Sequence, residues 1–191
     1  WPMTLEEYGG LFEGALLRAR VAVPDGRPLF RVAVEVMEMA AAYLSDGVTF
    51  LEAGDRVNAL AAFAYGLGWL DAGSSLGLIE PYDPHPPEAV DARILPSQTA
   101  RLDEKTRRYR RMLDFALEGV KEAPDVSSPL HAAAREFLWV AQRWYEGGGE
   151  RLDAGDLNGA LLRLSYGYAW LDAGIRAGLF RVTGSRDLFT V

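Results

Sequence analysis

The chain has 191 residues, 49% of them apolar, with no cysteine and two histidines, which excludes disulfides, thiolate catalysis and cysteine-ligated zinc and leaves little for an imidazole metal site. Its net charge of −7 is uneven, because the first 95 residues carry 6 basic and 14 acidic side chains and the last 96 carry 14 and 13. The acidic half would repel a polyanion, so we expect no nucleic-acid partner. Neither a membrane span of roughly 20 apolar residues nor a leader stands out in the sequence. We therefore expect a soluble, cytoplasmic protein without a membrane partner.

The sequence repeats itself after 101 residues. Leu51–Asp55 aligns with Leu152–Asp156, and Trp69–Gly73 aligns with Trp170–Gly174. Helical periodicity with breakers at the same places predicts three helices in each copy. We therefore predict an all-α fold of two tandem pseudo-symmetric three-helix modules packed into a helical bundle. The predicted ranges are 1–80 for the first module, 81–100 for a proline-rich linker, 101–182 for the second module and 183–191 for a C-terminal tail.

Helix one is predicted over about residues 4 to 20, and its copy over about 102 to 122. Helix two is predicted to start at Pro28 or Pro129, because proline suits the first turn of a helix, with Ser128 as a cap in the second copy. Structural turns and caps are predicted where helix two meets helix three. There a glycine can adopt the left-handed conformation that closes helix two, and the aspartate after it can cap helix three. The glycine and aspartate are Gly54 and Asp55 in the first copy and Gly155 and Asp156 in the second.

Helix three is apolar around most of its circumference and is predicted to be the buried central helix of each module. Glycine recurs along one of its faces, as Gly66, Gly73 and Gly77 in the first copy and Gly167, Gly174 and Gly178 in the second. Each glycine inside a helix costs about 1 kcal/mol relative to alanine. A neighbouring helix that approaches too closely for a side chain would explain this face. We expect the two modules to pack through it.

Each third helix also carries one aspartate among apolar neighbours. A buried carboxylate is costly unless it is hydrogen-bonded. Two explanations remain open. In the first, the carboxylate is satisfied within the protein by an arginine, by a tyrosine or tryptophan donor, or by a helix terminus. In the second, it lines a polar pocket that binds a ligand. The candidate ligand-binding residues are the two aspartates and the aromatic residues beside them, namely Asp71, Asp172, Tyr65, Tyr166, Trp69 and Trp170.

Two further charged patterns have simpler explanations than a functional site. Glu35–Glu38 with Glu52–Asp55 looks like the paired acidic motifs that bind magnesium in all-α nucleotide pyrophosphohydrolases. Glu38 and Glu52, however, would lie about 21 Å apart on one helix, whereas that site converges from separate helices. Six cations within Arg101–Arg111 are interpreted as a solvated face that pairs with nearby acids or with the acidic first module. We predict no catalytic residue, no metal site and no cofactor.

Several motifs of the first module resemble an archaeal domain of unknown function, number 357. They are Ala-Tyr-Leu-Ser-Asp-Gly at 42–47, Gly-Asp at 54–55, the run 59–65 and Trp-Leu-Asp-Ala-Gly at 69–73. The family is usually a short single helical domain, so the resemblance implies a tandem duplication whose second copy has Trp144 for Tyr43 and Gly147 for Asp46. It also implies the helical fold, an archaeal origin and a cytoplasmic setting, and it carries over no catalytic residue.

These observations favour a non-catalytic protein-interaction or scaffold module, whose partner would be an unknown protein or a second copy of the chain. The alternative is a small-molecule or nucleotide-binding protein, with or without enzymatic activity, that uses Asp71 and Asp172 at the module interface. A polar cleft beside the two aspartates would favour the second hypothesis.

Overall fold

The computed structural model describes residues 2–80 and 86–190 of the chain. Six helices form the body of these ranges: α1 (Leu5–Arg18), α2 (Phe30–Glu52), α3 (Arg56–Ser75), α4 (Thr99–Glu118), α5 (Pro129–Asp153) and α6 (Leu157–Arg176). Four strands of two or three residues accompany them: β1 (Met3–Thr4), β2 (Val90–Asp91), β3 (Val120–Glu122) and β4 (Phe180–Val182). The predicted fold of two three-helix modules packed into a bundle is confirmed.

The two helical hairpins have the same construction in both modules. Gly54 and Gly155 have φ angles of +75° and +79°, in the left-handed region that closes α2 and α5. The side chain of Asp55 accepts a hydrogen bond from the backbone amide of Asn58 at 3.1 Å, and Asp156 accepts one from Gly159 at 2.9 Å. Each aspartate thus satisfies an amide that the first turn of α3 or α6 leaves unpaired.

The first helix of each module ends earlier than predicted, because the chain after it makes β-type pairing. Helix α4 ends at Glu118, and β3 then pairs antiparallel with β4, with Val120 opposite Val182. In the first module a single antiparallel bridge joins Val21 to Ile79 at the equivalent place. The sequence predicts no strand here because the two partners are about 60 residues apart, and local periodicity carries no trace of such a pairing.

The connection between the modules is partly structured. Residues 81–85, the first part of the predicted linker, and Val191 in the predicted tail lie outside the described residues. The rest of the linker contains β2, which pairs parallel with β1, and one 3₁₀ turn at Pro96–Gln98. Helix α4 begins at Thr99, inside the predicted linker, whereas α2 begins at Phe30, two residues after the predicted start.

Helices α3 and α6 are the buried central helices, as predicted, since nearly all residues of 59–73 and 159–174 are buried. No helix of the described ranges is both long and apolar enough to cross a membrane.

The glycine-lined face packs inside each module, so the expectation that the modules meet through it is wrong. A Cβ atom at Gly66 would lie 2.7 Å from the ring of Phe12 in α1, and one at Gly73 would lie 2.6 Å from the Val36 side chain in α2. Bulky side chains of α1 and α2 thus occupy the space that side chains at these glycines would fill. The second module must therefore pack against another face of α3. Gly77 and Gly178 instead lie beyond the helix ends, with φ of +75° and +80°.

Candidate functional site

The two modules meet where α3 and α6 pack against each other at Gly68 and Ala169. A Cβ atom added to Gly68 would lie 2.7 Å from the Cβ of Ala169 and 2.8 Å from the carbonyl oxygen of Tyr166. The two backbones therefore approach closely at this point. Because position 68 aligns with position 169 in the repeat, the contact lies near an approximate twofold axis that relates the modules.

Two equivalent tyrosine–aspartate hydrogen bonds cross this interface. The hydroxyl group of Tyr166 donates to Oδ2 of Asp71 at 2.6 Å, and the hydroxyl of Tyr65 donates to Oδ2 of Asp172. The exposed fraction is 8% for Asp71 and 0% for Asp172, so both carboxylates need such a donor. Of the donors that the sequence allows, the structure supplies a tyrosine from the opposite module in each case.

The pKa values at this interface follow from burial. Burial raises the pKa of Asp172 to about 6, although hydrogen bonds from Tyr65 and Thr190 act in the opposite direction. Burial, followed by the charge of the facing aspartate, raises the pKa of both Tyr65 and Tyr166 well above the ordinary value. The tyrosines are therefore protonated donors at neutral pH. In Asp172, by contrast, burial on folding disfavours the ionised carboxylate.

A second layer of polar contacts links the modules near the ends of the central helices. The guanidinium group of Arg176 in α6 binds the carboxylate of Glu35 in α2, and the hydrogen bonds from Arg176 and Arg31 lower the pKa of Glu35 to about 2. At the equivalent place Ser75 donates to Glu136 at 3.4 Å. Glu35, which belongs to the acidic motif of the sequence, thus has a structural role, and the described residues contain no group of His, Asp and Glu that could hold a metal ion.

A pocket of about 380 Å³ lies beside one of the two tyrosine–aspartate pairs, and both modules and the C-terminal segment contribute to it. We call it the aromatic pocket. Its aromatic lining residues are Tyr43, Phe50, Tyr65, Tyr109, Tyr168 and Phe189. Its charged lining residues are Asp46, Lys105 and Asp187. The mixture of aromatic walls and a few charged groups at a junction between structural units is typical of a small-molecule site.

The C-terminal segment is held against this pocket by hydrogen bonds to its tyrosines. The Tyr65 hydroxyl, besides contacting Asp172, lies 3.0 Å from the hydroxyl oxygen of Thr190. The backbone amide of Thr190 donates to Asp172 at 3.4 Å, and the Tyr168 hydroxyl donates to the carbonyl oxygen of Leu188. The buried pair is thus continuous with the pocket wall.

The equivalent region of the second module has a different lining. A space of about 600 Å³ there is lined by Trp144 and by charged side chains that include Arg143, Arg151 and Arg163 together with Glu146 and Glu150. Trp144 lies at the position equivalent to Tyr43, and Arg163 at that of Ala62. The two copies of the duplication therefore differ in chemistry where the two modules leave space.

The candidate residues from the sequence separate into two groups. Tyr65, Tyr166, Asp71 and Asp172 form the buried tyrosine–aspartate pairs, and Tyr65 also lines the aromatic pocket. Trp69 and Trp170 are buried in the core, where their ring centroids lie 6.5 Å and 6.4 Å from the rings of Tyr65 and Tyr166, and neither lines the pocket.

Sequence reasoning missed most of the pocket lining, including Lys105, Tyr109, Tyr168 and Phe189. One signal was available: Tyr168 stands where the first copy has Leu67, and a hydroxyl added to a buried helix face indicates a polar neighbour. The other residues come together only through tertiary packing.

The basic segment of α4 is largely paired within the protein. Arg101 binds the carboxylate of Asp55 in the first module, and Lys105 donates to the side-chain oxygen of Asn58 at 2.6 Å. Within α4, Arg107 pairs with Asp103 at 3.0 Å. These contacts agree with the interpretation of a face that pairs with nearby acids and with the acidic first module.

Comparison with known proteins identifies the family but no characterised relative. The model of the family described as protein of unknown function (DUF357) matches the chain twice, over residues 7–79 and 108–180. Neither a curated protein nor a solved structure matches the chain. The two matches cover most of the chain and coincide with the two structural modules. The chain therefore belongs to the DUF357 family and contains two tandem copies of its domain.

Proposed function

We propose that this protein binds a small molecule in the aromatic pocket between its two modules. The observation that supports this function is the pocket itself, a space of about 380 Å³ whose aromatic walls come from α2, α3, α4, α6 and the C-terminal segment. A binding function needs a cavity with a stable shape. The hydrogen bond between Tyr65 and Asp172 provides one, because it fixes a pocket residue to the opposite module.

The proposal keeps the second hypothesis from the sequence but moves the ligand away from the aspartates. Asp172 is fully buried and accepts hydrogen bonds from Tyr65 and Thr190, so its role is to position the Tyr65 ring. A ligand would contact the aromatic lining, where the half-buried Tyr43 and the buried Tyr65 lie with ring centroids 4.5 Å apart.

A ligand-observed NMR screen of a small-molecule library tests this function. Ala62 lines the pocket, so Ala62→Leu should fill part of it and abolish or weaken the binding of the hits. The matched control is Ala41→Leu, which adds the same volume at an exposed position of α2 outside the pocket lining. Hits that bind the Ala62→Leu variant as well as the unchanged protein, or a screen without hits, would contradict the proposal.

A second candidate function, interaction with another protein or with a second copy of the chain, is favoured by two exposed aromatic residues. Trp139 in α5 is 62% exposed and Phe115 in α4 is 59% exposed, whereas the first module has Glu38 and Gly14 at the equivalent positions. Contiguous exposed apolar patches mark interaction surfaces, and an exposed tryptophan would supply a large part of such a patch. Trp139→Glu, which restores the first-module chemistry, should reduce self-association in sedimentation-velocity measurements. An unchanged sedimentation profile at high protein concentration would count against self-association through Trp139.

The archaeal origin and the cytoplasmic setting that the family resemblance implies stay predictions.

A further inference from the structure

We propose that the aromatic pocket takes a small organic cation, a compact ammonium group carried on an apolar body. This inference rests on the proposed function and names the class of ligand. Four independent features of the described residues support it: the aromatic walls, the charges at the pocket, the use of its hydrogen-bond donors and the occupant of the equivalent place in the second module.

The aromatic walls suit a cation because an ammonium group is attracted to the electron-rich face of an aromatic ring. The pocket already contains one example, since the ammonium nitrogen of Lys105 lies 4.9 Å from the ring centroid of Tyr109. Lys105 also donates to Asn58, so it is held at one side of the pocket. The other tyrosine rings of the lining are the half-buried ring of Tyr43 and the largely buried rings of Tyr65 and Tyr168.

The charges around the pocket are negative in sum. Asp46 and Asp187 line it, Asp172 lies directly behind Tyr65, and Lys105 is the cation among its lining residues. The same field acts on Tyr43, whose pKa is raised by burial and then by Tyr109, Asp172 and Asp46. Burial opposes a charge of either sign, whereas the negative charges of Asp172 and Asp46 also favour a positive charge nearby.

Two of the tyrosine hydroxyl donors at the pocket are engaged within the protein. The hydroxyl hydrogen of Tyr65 is directed to Asp172, and that of Tyr168 is donated to the carbonyl oxygen of Leu188. A tyrosine hydroxyl has one hydrogen to donate. These two residues can therefore offer a ligand their rings and oxygen lone pairs, which suit a cation better than a carboxylate or a phosphate.

The second module contains its own cation at the equivalent place. The guanidinium carbon of Arg163 lies 5.8 Å from the ring centroid of Trp144, and Arg163 passes over Gly147, where an added Cβ would be 3.4 Å from its Cδ. Tyr43, Asp46 and Ala62 of the first module occupy the positions of Trp144, Gly147 and Arg163.

The aromatic pair is retained in both copies, with ring centroids 4.3 Å apart for Trp144 and Tyr166 and 4.5 Å for Tyr43 and Tyr65. The first module thus keeps the aromatic platform, lacks the chain's own guanidinium group and gains a carboxylate. An external cation would complete in the first module the arrangement that Arg163 completes in the second.

Three probes of the same shape and different charge test this inference on the full chain. They are choline, its neutral isostere 3,3-dimethylbutan-1-ol and the anion 3,3-dimethylbutanoate, titrated by NMR and calorimetry at neutral pH. We expect choline to bind at least about tenfold more tightly than the alcohol, and the anion not to bind, because cation–π and carboxylate contacts favour the charged probe.

Variants locate the binding and show the origin of the preference. Ala62→Arg supplies the cation from the chain itself, as in the second module, and should abolish choline binding. Asp46→Asn should weaken choline binding several-fold and leave the alcohol unaffected, whereas the control Glu13→Gln, an exposed change in α1, should alter neither. Circular dichroism and thermal melting show whether each variant is folded.

The outcomes separate this inference from the proposed function. If the alcohol or the anion binds as well as choline, or if choline binds the folded Ala62→Arg variant unchanged, the cation inference is overturned. If uncharged hits from the library bind and Ala62→Leu removes them while choline does not bind, the pocket is a binding site for another class of ligand. If neither library hits nor any of the three probes bind, both proposals fail.

Discussion

Asp172 is the residue at which burial and charge oppose each other most clearly. Its carboxyl group is fully buried, and burial raises its pKa from 3.8 to about 6. The folded protein therefore holds a proton on this group at pH values where the unfolded chain has released it. The free energy of unfolding must then fall as the pH rises from about 4 to about 6, by an amount on the order of 3 kcal/mol for this group.

Asp172→Asn should remove this pH dependence. Asparagine keeps an oxygen that can accept from the Tyr65 hydroxyl but has no charge to desolvate. The free energy of unfolding of the variant, relative to the unchanged protein, should therefore improve by roughly 3 kcal/mol between pH 4 and pH 7. Urea denaturation at a series of pH values measures this difference.

Asp103→Asn, a change at a partly exposed residue of α4, is the control and should show no comparable trend. A difference between the Asp172→Asn variant and the unchanged protein that stays constant across the pH range would mean that Asp172 is not the group with the raised pKa.

At the scale of elements, α3 and α6 are packed so closely at Gly68 that the position tolerates no side chain without movement. An added Cβ would meet the Cβ of Ala169 and the carbonyl oxygen of Tyr166, and a backbone oxygen in a helix cannot rotate away. The cost of this overlap competes with the gain of about 1 kcal/mol that alanine brings to a helix interior. Because both contacts, at 2.7 Å and 2.8 Å, are far shorter than van der Waals contact, we expect the cost to exceed the gain and the substitution to destabilise the protein.

Gly68→Ala should accordingly lower the free energy of unfolding by roughly 1–3 kcal/mol. Gly10→Ala is the matched control, because an added Cβ there, on an exposed face of α1, meets nothing within 4 Å; it should be neutral or stabilise by up to about 1 kcal/mol. Combining Gly68→Ala with Ala169→Gly should recover part of the loss, since one of the two close contacts disappears. Equal effects of the two glycine changes in urea denaturation would show that the helices separate at no cost.

The elements also show which features the sequence could predict. The turn between α2 and α3 was predictable because Gly54 and Asp55 act through local hydrogen bonds, and the same pair recurs in the second module. Strand β3 was not, because its partner β4 is distant in the sequence. The glycine-lined face gave the correct inference of close packing but not the neighbour, since Gly66 has the same local sequence signature whether it meets α1 or the other module.

At the scale of the whole molecule, the central helices make each module depend on the other. Helices α3 and α6 each cover one face of the other, while the remaining helices of their own module cover the opposite face. The hydrogen bonds from Tyr65 and Tyr166 cross between them. The pocket lies where the two modules meet, so its position depends on their packing and cannot be read from the sequence of one repeat. The fold was predictable from one copy, whereas the pocket lining depends on how two diverged copies meet.

The two modules should therefore unfold as one cooperative unit. Phe137 in α5 is buried against Trp170, with ring centroids 4.8 Å apart, and Phe137→Leu should destabilise the second module by roughly 1–3 kcal/mol. If unfolding is cooperative, amide hydrogen exchange followed by mass spectrometry should show the same loss of protection in α3 as in α6. Trp139→Phe, an exposed aromatic change on the same helix, should leave protection in both unchanged. Loss of protection confined to residues 101–182 would mean that the first module is stable without its partner and that the hydrogen bonds between the modules align two independent units.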